Sequence, residues 1–146
     1  APPIGVFLGL LVGGYLSVTR SRIVMNKYSE IALHAVKLVH TDVEVSPVDA
    51  WAEAAILYYP DSKPSQKKSC PKSSFLGLCE DGRIEKIKAG SYTKSKDNKK
   101  YALEAVSLLK INPNLSEKDL WNNISSKKYN QQMHVVSALF KAGLIV

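Results

Sequence analysis

Residues 31–51, IALHAVKLVHTDVEVSPVDAW, are matched without a gap seventy positions later by residues 101–121, YALEAVSLLKINPNLSEKDLW. Identical pairs are Ala32/Ala102, Leu33/Leu103, Ala35/Ala105, Val36/Val106, Leu38/Leu108, Ser46/Ser116, Asp49/Asp119 and Trp51/Trp121. Chance supplies about one or two such identities in a window of this length, so the alignment is read as an internal repeat. Each copy opens on a helix. Ala32, Ala35, Val36 and Val39 fall at i, i+3, i+4 and i+7, and Ala102, Ala105, Val106 and Leu109 repeat the stripe. The alanines are small enough for a neighbouring helix to approach closely. Asn112-Pro113 ends the second of these helices, because the residue before proline is driven out of helical geometry. The first closes through the polar and β-branched residues 41–45.

A second helix follows in each copy, with a strong start signal. Ser46 caps it, Pro47 suits the first helical position, and Asp49 completes a Ser-x-x-Asp box. Ser116 and Asp119 repeat the box. Val45 with Ala50, and Leu115 with Leu120, stand at the spacing of a hydrophobic staple. Trp51 and Trp121 come one residue later and are expected in the core.

The third helix of each copy is SSFLGLCEDGRI at 73–84 and HVVSALFKAGLI at 134–145, now at an offset of 61. Gly82 and Gly143 fit left-handed C-terminal caps, and Pro71 is expected to open the first of these helices. The expected fold is all-α. It comprises two pseudo-repeated three-helix units, 26–84 and 93–146, sharing one core within a single helical domain of residues 25–146. Short strands after the closing helices would make it winged-helix-like.

Residues 1–24 read differently. Their uncharged run, residues 4–18, contains Gly13 and Gly14 and is followed by Arg20 and Arg22. It is shorter than the roughly 20 apolar residues of a membrane span, and its positive charge lies on the wrong side for a secretory signal. The first reading is an extension without function, with Met25 as the natural start and a cytoplasmic protein. The alternative is a weak membrane anchor formed by residues 4–18.

The formal charge is +7, and it is concentrated in the middle of the chain: residues 61–100 hold eleven basic and five acidic side chains. Such a bias suits a polyanionic partner or simple solubility. Cys70 and Cys79, nine apart, would face different directions on one helix and could not bridge. No phosphate-binding glycine loop, paired-histidine motif or nucleophile signature is present, and the cysteines with His34, His40 and His134 lack the close ligand pairing of a zinc site. No enzyme activity, metal or cofactor is expected.

The functional signal is basic and polar. Residues 90–101, GSYTKSKDNKKY, lead into the fourth core helix, with Thr93 or Ser95 as its cap. Lys94, Lys96, Lys99 and Lys100 sit beside the free N–H groups of that helix start, a suitable place for phosphate, and Tyr92 offers a stacking surface. On the last helix Asn130, His134, Ser137 and Lys141 form a polar stripe at i, i+4, i+7 and i+11. Asn130, Gln131 and His134 suit base contacts, and Lys127, Lys128 and Lys141 suit phosphate.

Residues 69–146 resemble an uncharacterised bacterial and phage domain family of unknown function. The resemblance rests on SCPKSSFLGLCEDG, GSYTKSKDNKKYALEAVSLL and NQQMHVVSALFKAGLI, with residues 26–60 agreeing loosely. It implies domain boundaries and brings no activity, cofactor or ligand. The leading expectation is therefore a non-enzymatic module binding DNA or RNA. The alternative is an adaptor that holds a protein or peptide partner in the groove between the two repeats. If the lysines of 94–100 and the polar stripe of the last helix share a face, nucleic acid is favoured; if they point apart, the adaptor is.

Overall fold

A computed structural model describes residues 25–146, so the extension and the anchor expected within residues 4–18 lie outside the described residues. The first helix, α1 (Lys27–Thr41), starts at Asn26, whose side chain accepts from the N–H groups of Tyr28 and Ser29 at 2.8 and 3.2 Å. Helix α2 (Pro47–Tyr58) follows Ser46, whose hydroxyl accepts from Asp49 N–H at 3.1 Å. The single turn α3 (Lys63–Gln66) leads into α4 (Ser69–Glu80). A long loop then reaches α5 (Lys96–Ile111), α6 (Glu117–Ile124) and α7 (Gln132–Lys141). Ser95 caps α5, and Ser116 caps α6 by accepting from Asp119 N–H at 3.0 Å. The six expected helices are thus present, with α3 added.

Two boundaries differ from expectation. Helix α4 begins at Ser69, so Pro71 sits inside the first turn rather than at its first position. Proline is tolerated there because an N–H in the first turn has no partner within the helix. At the far end of the chain Gln131 adopts φ 75°, so α7 starts at Gln132 and Asn130 precedes it.

The first helix of each three-helix set packs against the closing helix of the other: α1 against α7, and α5 against α4. The closing helices α4 and α7 also touch, while α2 lies on α1 and α6 bridges α5 and α7. The alanine-rich stripes face these contacts. Ala32 and Ala35, and Ala102, Ala105, Val106 and Leu109, are fully buried. Trp51 stacks at a tilt on Phe75, with ring centroids 5.3 Å apart, and Trp121 is buried behind its own cap. Burial on this scale, at roughly 25 cal/mol per Å² of apolar surface removed from water, is the main stabilising contribution to the fold. Cys70 and Cys79 are free thiols on α4, and Cys79 lies wholly in the core.

Each closing helix ends in the same way. Gly82 and Gly143 take φ 70° and 75°, donate to Cys79 O and Phe140 O, and are followed by Arg83 and Leu144 donating to Leu78 O and Leu139 O. Glycine is favoured at both positions, since a side chain in the left-handed region crowds its own backbone. The chain then meets its counterpart. Glu85 N–H donates to Leu144 O at 2.8 Å and Val146 N–H to Arg83 O at 2.9 Å, making one antiparallel bridge between Ile84 and Ile145. The expected short strands do not form among the described residues, and neither does the hairpin of a wing. Lys86 turns to φ 59° two residues after Ile84, which takes the chain out of extended geometry on that side of the bridge.

Among the described residues no helix is long and apolar enough to cross a membrane.

Candidate functional site

Helices α4 and α5 lie unusually close because α4 presents Gly77 to α5: a Cβ there would fall 2.7 Å from Lys99 Cα. The approach brings Lys99 to Glu80. The Glu80 carboxylate accepts from Lys99 Nζ at 2.8 Å and from the N–H groups of Tyr92 and Thr93 at 2.7 and 3.1 Å. These hydrogen bonds, the one from Lys99 foremost, lower its pKa from 4.5 to about 2. Lys99 was expected as a phosphate contact. Its charge is instead neutralised by Glu80, a partner nineteen residues away that local spacing does not reveal.

The other expected residues are distributed as follows. Lys94, Lys96 and Lys100 are exposed around the start of α5; Lys96 and Lys100 border a depression of about 480 Å³ that also holds Glu80 and Glu104. The Tyr92 hydroxyl donates to Lys88 O at 2.7 Å, and its ring packs against the core rather than standing free. Lys127, Lys128 and Asn130 meet the first turn of α5 on its other side, in a cleft of about 220 Å³. Gln131 is occupied by Asn26, which donates to its Oε1 at 2.8 Å. Lys141 is exposed at the opposite end of α7, about 13 Å along the axis from Gln132. The polar stripe expected on α7 does not reach the surface as a unit, since Ser137 is 1% exposed. Helix α7 is surrounded by α1, α4, α5 and α6, so nearly its whole perimeter is covered.

The 220 Å³ cleft is where three helices begin. Helix α4 contributes Cys70, α5 contributes Ser95, Asp97 and Asn98, and α7 contributes Gln132. Helix starts carry partial positive charge from unpaired N–H groups; α4 has no side-chain cap, while in the first turn of α7 the His134 N–H is taken by the Tyr129 hydroxyl. A small network holds the walls in place. Gln132 donates from Nε2 to Asn98 Oδ1 at 3.2 Å and accepts from Asn130 N–H at 2.8 Å, while Asn98 Nδ2 donates to Ser95 Oγ at 3.1 Å. The loop carrying the lysines is tied down by Trp121, whose indole N–H donates to Lys127 O at 2.7 Å. Tyr101, and after it Asp97, raises the Lys127 ammonium pKa; Asp97 stands 3.8 Å from it in an exposed pair. Cys70, Asn98, Tyr101 and Gln132 were not among the expected site residues. Their only sequence-level signal is that each lies within a few residues of a helix start.

Trp121 also borders a second depression, of about 330 Å³, shared with Tyr129, His134, Glu117, Lys118 and Asn122. There the Tyr129 hydroxyl accepts from His134 N–H at 2.9 Å and bonds His134 Nδ1. Burial, with a smaller contribution from Glu117, moves the Tyr129 pKa upward and keeps the phenol protonated. An apolar groove of about 380 Å³ runs between the α1–α2 corner and the loop after α4, lined by Val39, Val45, Ile87 and the 91% exposed Val43. It lies at that corner and loop rather than between the helices of the two units. The histidines are dispersed: His40 Nε2 bonds Glu85 O at 2.6 Å and His34 sits edge-on to Tyr58. Among the described residues no three His, Cys, Asp or Glu side chains cluster as metal ligands.

Residues 25–146 match a family of unknown function (DUF6979). The chain belongs to this family. No curated protein and no solved structure matches it. The match covers every described residue and so includes both depressions beside Trp121.

Proposed function

We propose that residues 25–146 act as one non-enzymatic module that binds nucleic acid through its phosphates, in the cleft where α4, α5 and α7 begin. The observation that carries this reading is the meeting of Lys127 and Lys128 with three helix starts in one cleft. Ammonium groups supply charge, and the uncapped start of α4 with the amides of Asn98 and Asn130 supplies donors, the combination that phosphate oxygens accept. Lys96 and Lys100, on the other side of α5's first turn, extend the basic track. Of the residues expected to bind, Lys99, Gln131 and Tyr92 are assigned structural roles, because each is held by a close hydrogen bond of 2.7 to 2.8 Å, whereas the exposed Lys127–Asp97 pair stands at 3.8 Å.

Fluorescence anisotropy with a labelled oligonucleotide at low salt tests the reading. Binding is expected to weaken linearly on a log–log plot against salt, and the Lys127→Ala/Lys128→Ala double variant should flatten that slope by about two, one per phosphate contact. Lys110→Ala, at the far end of α5, should leave it unchanged. Absence of binding to any DNA or RNA at low salt rejects the proposal.

The apolar groove around Val43 favours a second reading, an adaptor that holds a protein segment there. Its affinity would change little with salt. We further infer that the two three-helix units are copies of one ancestral unit. The paired serine caps, the identical glycine closures and the reciprocal hydrogen bonds across the Ile84–Ile145 bridge support this.

A further inference from the structure

The segment 127–130 separates two different surfaces. On one side lies the basic cleft with Lys127 and Lys128; on the other lies the aromatic depression of Trp121, Tyr129 and His134. The buried Trp121 lines both, so the two surfaces adjoin. We propose that the aromatic depression receives one unpaired base of a single-stranded nucleic acid whose phosphates lie on the Lys127–Lys128 side. This proposal rests on the nucleic-acid reading above and adds to it the class of nucleic acid.

Three observations select this occupant. First, the partly exposed rings of Tyr129 and His134 line the depression together with the buried Trp121, and base–ring stacking is the usual means by which a protein holds single strands. Second, about 330 Å³ is at the small end of ligand pockets, a size suited to one planar ring system rather than a peptide helix. Third, the exposed lining of the depression is almost wholly apolar, which suits the face of a base rather than a phosphate. Glu117, Lys118 and Asn122 stand at its border. The Tyr129 hydroxyl occupies His134 Nδ1, so Nε2 is the ring nitrogen left for a ligand. A base within a duplex would have to be flipped out to enter, at an unstacking and unpairing cost that a single strand avoids.

The test compares four labelled probes of one sequence at one salt concentration: single-stranded DNA, single-stranded RNA, the DNA duplex, and the DNA strand with abasic sites in place of its bases. At least one single strand should bind about tenfold more tightly than the duplex, and removing the bases should cost a similar factor. His134→Ala and Asn122→Ala should reduce the single-strand advantage while leaving the salt slope unaltered. The abasic strand changes nothing in the protein, so it tests the proposal even where a variant folds poorly. Equal affinity for all four probes overturns the base pocket while leaving phosphate binding intact. No binding to any probe removes both proposals together.

Discussion

Glu80 satisfies three donors from a loop and a helix that follow it in the chain, and in doing so fixes the start of α5 against the end of α4. Its folded carboxyl has a pKa lowered from 4.5 to about 2, so the charged form is favoured by folding. The stabilisation is therefore complete above about pH 4.5 and is lost as pH falls from there toward 2. Glu80→Gln should lower the unfolding free energy at pH 7 by about 1–3 kcal/mol, as expected for lost hydrogen bonds to a charged group. It should also flatten the acid limb of the stability curve between pH 4.5 and 2 relative to the parent. Urea unfolding across that range checks both; an unchanged acid limb would show that the carboxylate is not the group responsible. The sequence places Lys99 in a helix's first turn and Glu80 at the end of another. It does not show that they meet, because the contact depends on the close approach at Gly77.

At the scale of the element, the caps dominate. Ser46 and Ser116 make equivalent hydrogen bonds, at 3.1 and 3.0 Å, to the N–H of the aspartate three residues on. Replacing either with alanine should cost about 1 kcal/mol. The double variant should show nearly additive losses, since the two caps share no partners. Thermal unfolding followed by circular dichroism measures both, and a strongly unequal pair would mean that the two helix starts are not energetically alike. The caps were legible because they are local: a serine, an acid and a staple within six residues decide where the helix begins. Helix α3 was not legible. Ser62 caps it locally, accepting from Ser65 N–H at 3.3 Å, but four residues carry no apolar period, and its place is held by Tyr28 donating its hydroxyl to Ser65 O and Gln66 donating to Tyr59 O. The expected stripe on α7 failed for the opposite reason. Periodicity shows which residues share a side of a helix but not how many sides are covered, and four neighbours bury Ser137.

For the whole molecule, the exchange of helices between the units has a direct consequence. Without residues 91–146, α1 would lose α7 and α4 would lose both α5 and α7, uncovering the faces buried against them. A fragment of residues 25–90 should therefore show little helical signal and no cooperative unfolding. Mixing it with residues 91–146 should restore both, as measured by circular dichroism. A cooperative transition from the first fragment alone would show that each unit holds a sufficient core of its own.

The sequence by itself determined where most helices start and stop, and which alanine stripes and tryptophans are buried, because caps, prolines, closing glycines and apolar spacing act over a few contiguous residues. Tertiary structure alone decided the candidate site. It brought Lys127 and Lys128 to the starts of α4, α5 and α7, withdrew Lys99 into an ion pair, and placed Trp121 between a basic cleft and an aromatic one. Those relations join residues as far apart as Cys70 and Gln132. They depend on which helix packs against which, and local spacing carries no record of that choice.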